Sequence, residues 1–199
     1  MATVTVYAGT DDGVVQTFLG SASADSTATE HYMGVVNIKG TNDYSRYFTL
    51  FSNSIASSST VTAVVYSMYG TADASTLDCT LKLWDSTWTT SLDTGDANAY
   101  ATERASRSTS GWSTSGYNDW TSGASFPASI NKGGEDRLAV VSEDTPTTNT
   151  DYRVQASSAD TSGTTQDPKL TITYTVASFV QQIMRHFQIP SQTFRTGVF

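Results

Sequence analysis

Apolar and polar positions alternate along much of this chain. Leu77, Cys79, Leu81 and Leu83 alternate with Asp78, Thr80 and Lys82, and Leu170, Ile172 and Tyr174 alternate with Thr171 and Thr173. A period of two puts one set of side chains on a core face and the other on solvent, so both stretches predict β-strands. Residues 46–51 and 61–69 are longer and more continuously apolar, which predicts central strands covered on both faces. Residues 4–7, 33–38, 137–142 and 152–156 supply further strands. The segments between them, 52–60, 71–76, 131–134, 144–150 and 160–168, are rich in Ser, Thr, Asn, Gly and Asp and predict turns and loops. Strands at this spacing, roughly eight to ten of them, indicate an all-β sandwich of jelly-roll type. The expected organisation is a single jelly-roll β-sandwich domain over 1–175 followed by an apolar C-terminal extension over 176–199.

Two segments depart from the alternating pattern. Residues 85–126 carry Trp88, Trp112 and Trp120 among many Ser and Thr, and predict a long loop with a short helix within 92–108. Residues 178–189 place Phe179, Val180, Ile183, Met184, Phe187 and Ile189 at helical spacing before Pro190, and the chain closes on Phe194, Val198 and Phe199. These side chains follow the last expected strand, so they predict a surface for assembly or partner binding, with a tail folded back over an open end of the sandwich as the alternative. Phe179, Val180, Ile183, Met184, Phe187, Ile189, Phe194 and Phe199 are its candidate residues.

Composition narrows the function. Ser and Thr make up about 30 % of the chain and charged residues 15 %, so the surface is hydroxyl-rich rather than charge-rich. The formal net charge is −8, with no Lys/Arg cluster to neutralise phosphates. That argues against nucleic acid and against an anionic membrane surface as partners. No window approaches the ~20 apolar residues of a membrane span, so membrane insertion is not expected. The single cysteine, Cys79, sits on the apolar side of an alternating stretch and reads as a core residue. The first residues enter a strand without the basic and apolar regions of a signal peptide. The expectation is synthesis in a host cytoplasm and placement on a virion surface, with an extracellular location as the alternative.

Several stretches, taken in order, resemble the DNRLRE-type jelly-roll domains. They are Arg46-Tyr47-Phe48-Thr49-Leu50-Phe51 with Ile55 and Val61-Thr62-Ala63, then Arg137-Leu138-Ala139-Val140-Val141. The last is Tyr152, the Ser157-Ser158 pair and Asp167-Pro168-Lys169-Leu170-Thr171-Ile172-Thr173-Tyr174. The resemblance implies a sandwich similar to carbohydrate-binding modules, found in secreted, cell-surface and phage structural proteins. It implies no single function.

Three kinds of chemistry compete here with ordinary structural roles. His31 and His186 are the only histidines and lie far apart in the chain, and no nucleophile or phosphate-binding motif is present, so no catalytic residue is assigned. Asp11-Asp12-Gly13 offers hard oxygen ligands in a turn, making a structural Ca²⁺ ion possible; no other cofactor is expected. Trp88, Trp112, Tyr117 and Trp120 could stack on sugar rings if they are exposed. The reading that results is a non-enzymatic structural protein on a particle surface, homo-oligomeric or bound to other virion proteins through its tail. The alternative is a glycan-binding module.

Overall fold

A computed structural model describes residues 1–89, 91–121 and 125–176. Their twelve strands join, all by antiparallel pairing, into one sheet that curls over itself as a sandwich. In chain order these are β1 (Ala2–Tyr7), β2 (Gly13–Phe18), β3 (Ser21–Asp25), β4 (Glu30–Ile38), β5 (Thr41–Ser52) and β6 (Thr60–Asp73). They continue with β7 (Thr80–Ser86), β8 (Tyr100–Ser108), β9 (Tyr117–Thr121), β10 (Glu135–Ser142), β11 (Val154–Ser157) and β12 (Lys169–Thr175). Helix is confined to one 3-10 segment, Thr94–Asn98, and one turn of α-helix, Phe126–Ser129, among the described residues.

One layer runs β1-β12-β6-β9 and the other is centred on β5, flanked by β2, β4 and β10, with β7 and β8 beyond β10. Strand β6 is long enough to take three partners, β12 and β9 along its first part and β11 near its end. Two hairpins close the early strands. In both, two consecutive positive φ angles, Leu19-Gly20 at 48° and 83° and Lys39-Gly40 at 51° and 88°, mark the tight turn whose twist matches antiparallel strands.

The interior follows from the alternation. Tyr47, Phe51, Leu138 and Val140 point inward to meet Val64, Tyr66, Met68, Leu170 and Ile172 from the opposing layer. An aromatic file crosses this core: Phe51 to Tyr66 at 5.9 Å, Tyr66 to Trp120 at 5.4 Å and Trp120 to Trp112 at 6.1 Å between ring centroids. The other faces of β5 and β10 are also buried. Val15, Phe48, Leu50, Ala139, Val141 and Trp88 form a second cluster there, joined by Leu92, Ala97, Ala99 and Tyr100. The segment between β7 and β8 therefore covers the outside of the β5 layer.

Two expectations change at this level. Residues 85–126 are not one long loop, because β8 and β9 lie within them, and the helix expected within 92–108 is the 3-10 segment Thr94–Asn98 capped by Asp93. Leu77 is not a core residue: it is 53 % exposed and precedes β7, which starts at Thr80. Cys79 is buried, as its alternation with Leu81 and Leu83 predicts.

Candidate functional site

The three indoles proposed to bind sugars are structural. Trp120 is fully buried, donates its Nε1–H to the Leu81 carbonyl at 3.1 Å and packs between Tyr66 and Trp112. Trp112 is 6 % exposed, and the Arg107 guanidinium lies over it and Trp120 at 5.4 and 5.6 Å from the ring centroids. Trp88 is 1 % exposed and meets Phe48 edge-on at 6.4 Å, where it fills the second cluster. A stacking platform needs an open ring face, and none of the three has one. They are removed as glycan contacts for that reason.

Tyr117 has a different setting. It lies half-buried on β9, on the outer face of the β1-β12-β6-β9 layer, and its hydroxyl lies 3.1 Å from each of the Thr165 and Asp167 carbonyls. The Tyr69 ring of β6 stands edge-on to it at 5.5 Å, opposite it in register. The Lys169 ammonium sits 3.4 Å from the Tyr117 ring centroid, a close cation–π contact. Tyr7, paired with Lys169 across the β1–β12 ladder, is 41 % exposed. The structure thus gathers Tyr7, Tyr69, Tyr117 and Lys169 from four strands into one aromatic and cationic patch. Three of the four were not legible as site residues, because the registers that align β1, β12, β6 and β9 are set by long-range pairing.

The rest of this outer face is a field of hydroxyls. Thr3 and Thr5 of β1 lie opposite Thr173 and Thr171 of β12, and the Thr3 and Thr173 hydroxyl oxygens are 3.3 Å apart. At Thr3 and Thr5 it is bare among the described residues, whereas the outer face of the β5 layer is covered.

The two proposed Ca²⁺ ligands diverge. Asp11 is exposed, whereas Asp12 is fully buried and one of its carboxylate oxygens accepts hydrogen bonds from the Tyr47 hydroxyl and from the Ala159 amide at 3.0 Å. Burial pushes the Asp12 carboxyl up from 3.8 to about 7, only partly offset by these bonds, with Asp160 and Asp167 adding to the rise. Among the described residues no group of three or more His, Cys, Asp and Glu side chains converges as metal ligands. Asp11 and Asp12 thus have different settings, and Asp12 serves as a buried polar bracket between β2, β5 and the loop after β11. His31 is buried 5.4 Å from the Tyr47 ring, and burial lowers its pKa in spite of Asp25 nearby.

A shallow cleft of about 300 Å³ lined by Asp73, Ser75, Thr76, Leu77 and Asp78 opens at the far end of β6. No described helix is long and apolar enough to cross a membrane. The tail residues Phe179, Val180, Ile183, Met184, Phe187, Ile189, Phe194 and Phe199, with His186, lie outside the described residues. Val176, the last described residue, is 62 % exposed directly after β12. No family model matches this chain, and no curated protein matches it.

Proposed function

We propose that this chain is a non-enzymatic structural protein displayed on the surface of a particle, a phage virion component such as a head-decoration, head-fibre or tail-associated protein. Residues 176–199 attach it to its neighbours. The observation that supports this reading is the exit at Val176. Strand β12 is an inner strand between β1 and β6, yet Val176 directly after it is exposed, just before the run of apolar residues in the sequence that begins at Phe179. Burying such side chains on a neighbour contributes about 1.5–3 kcal/mol each before ordering costs, enough to hold a repeated subunit in a multivalent array. The hydroxyl-rich, acidic body would face outward, in keeping with the resemblance to DNRLRE-type domains. Removing 176–199 is expected to leave a folded, soluble body that no longer joins the assembly, measured by sedimentation and electron microscopy beside the full chain. A truncated body that assembles as before overturns this reading.

The second reading, a glycan-binding module, is favoured by the patch of Tyr7, Tyr69, Tyr117 and Lys169 on the bare face. A glycan array on the full chain and on Tyr7→Ala tests it. Polysaccharide binding that the substitution abolishes would put this reading first.

A further inference from the structure

Four strands in the described residues have a single ladder partner: β1, β3, β8 and β9. An unpaired strand edge offers free N–H and C=O groups to any other strand, and folded proteins normally blunt it. Three of the four are blunted. Strand β3 has five residues and ends at Asp25, whose carboxylate accepts from the Thr27 and Ala28 amides. Strand β8 carries Glu103, Arg104 and Arg107, and its pairing with β7 is broken by two register shifts. Strand β9 is crossed by the Arg107 side chain, whose Nη1 donates to the Asp119 carbonyl at 3.3 Å.

Strand β1 has none of these devices. Its residues, Ala-Thr-Val-Thr-Val-Tyr, include no charge, no Pro and no Gly, and its pairing with β12 runs without a bulge from Ala2 to Tyr7. Which groups face outward follows from the ladder. The Ala8 amide donates to the Pro168 carbonyl at 2.8 Å, opposite it in the same register. Alternation then makes Ala2, Val4 and Val6 the residues bonded to β12 and turns the backbone N–H and C=O of Thr3, Thr5 and Tyr7 to the open side.

We propose that β1 pairs edge to edge with β1 of a second copy of this chain, so that two β1-β12-β6-β9 layers become one continuous sheet across a two-fold axis. The strand is self-complementary in that arrangement. With Thr5 opposite Thr5, Thr3 meets Tyr7 and Val4 meets Val6, which gives about six ladder hydrogen bonds from the three outward-facing residues of each copy. Valines join valines on the core side, and the hydroxyl face continues across the junction. Charge selects the same edge. Two bodies of net charge −8 repel each other, and β1 is the single-partner strand that adds no carboxylate to that repulsion. The pairing is independent of the role proposed for residues 176–199.

The test is sedimentation of the full chain over a range of concentration and salt, beside three full-length variants. Thr5→Pro removes one outward N–H and no bond to β12, and Thr5→Lys sets a charge against its copy at the axis. Phe179→Ser/Ile183→Ser/Phe187→Ser alters the tail alone. The expected result is a species of twice the chain mass whose dissociation constant falls as salt rises. Thr5→Pro and Thr5→Lys should each weaken it at least tenfold, and the tail variant should leave it in place. Circular dichroism of both Thr5 variants, and their thermal melting at concentrations where the parent is monomeric, should match the parent, and Asp119→Asn on β9 should dimerise as the parent does. If Thr5→Pro melts early, Thr5→Lys decides. A monomer at all concentrations, a dimer that keeps its affinity in the folded Thr5 variants, or a dimer lost only in the tail variant overturns the proposal. The last outcome would assign the contact to the tail.

Discussion

The two layers of this sandwich share one core but treat their outer faces in opposite ways. The β5 layer is buried twice: Tyr47 and Phe51 face the sandwich interior, while Phe48 and Leu50 lie beneath Trp88 and the segment that follows it. The β1-β12-β6-β9 layer is buried once, and its outer face keeps Thr3, Thr5, Thr171, Thr173 and the tyrosine patch. The difference teaches where to look for function. On β5 and β10 the large side chains Tyr47, Phe48, Leu50, Phe51 and Leu138 are held by packing, and substitution there reports on folding. In the second layer, Thr3 and Thr5 are exposed among the described residues, so an effect of changing them points to something beyond this core.

That contrast can be broken most directly with the tryptophans. Trp120→Ala in the shared core and Trp88→Ala beneath the covering segment should each cost about 3–5 kcal/mol in chemical unfolding. A Trp88 variant within 1 kcal/mol of the parent would mean that the outer cluster is a loosely laid cover, and the two layers would be more alike than they look.

Next in size is pH dependence. Asp12 has its folded pKa raised to about 7 and Asp136 to about 6, both chiefly by burial, against an ordinary 3.8. A group raised in the fold favours the folded state when protonated. Its contribution is complete below pH 4 and is lost as pH rises through 6 and 7. Unfolding free energy should therefore fall between about pH 4 and 7, by on the order of 4 kcal/mol for Asp12. Asp12→Asn keeps an acceptor for Tyr47 and Ala159 and should flatten most of that slope in urea titrations at several pH values. An unchanged slope would remove Asp12 as its source.

Smaller effects belong to the bare layer. Tyr117→Phe removes the hydroxyl that reaches the Thr165 and Asp167 carbonyls and should cost about 1 kcal/mol. Thr173→Val, which loses only the contact with the Thr3 hydroxyl, should stay within about 0.5 kcal/mol by thermal melting. A large loss at Thr173 would mean that this face carries stability after all.

The same contrast explains what could be read from the residues alone. Leu81 and Leu83, Leu170 and Ile172, and the run from Tyr47 to Phe51 announced their strands because one or both faces are buried. Strand β8 was missed since Ala101, Thr102, Glu103, Ser106 and Ser108 are exposed and only Ala105 is buried, leaving no apolar period to detect. Strand β3 is exposed over its first three residues and was missed for the same reason. The indoles misled because a Ser/Thr-rich stretch normally faces water, whereas here Trp88 lies over the apolar outside of Phe48 and Leu50, and Trp112 and Trp120 enter the shared core. Asp12 gave no sign of burial in a turn sequence that suits solvent equally well. The patch around Tyr117 depends on four strands meeting in register, which no local pattern encodes.

The partnership of the first strand with the last also has a consequence in time. Residues 2–7 find their ladder only in residues 169–174. At about 5–20 residues per second, a ribosome needs roughly ten to thirty seconds to make the chain between them. Throughout that interval a neutral, β-branched strand waits with both sides open, when the nascent chain is most exposed to mispairing. The strand left unblunted in the finished fold is thus the one whose partner is made last.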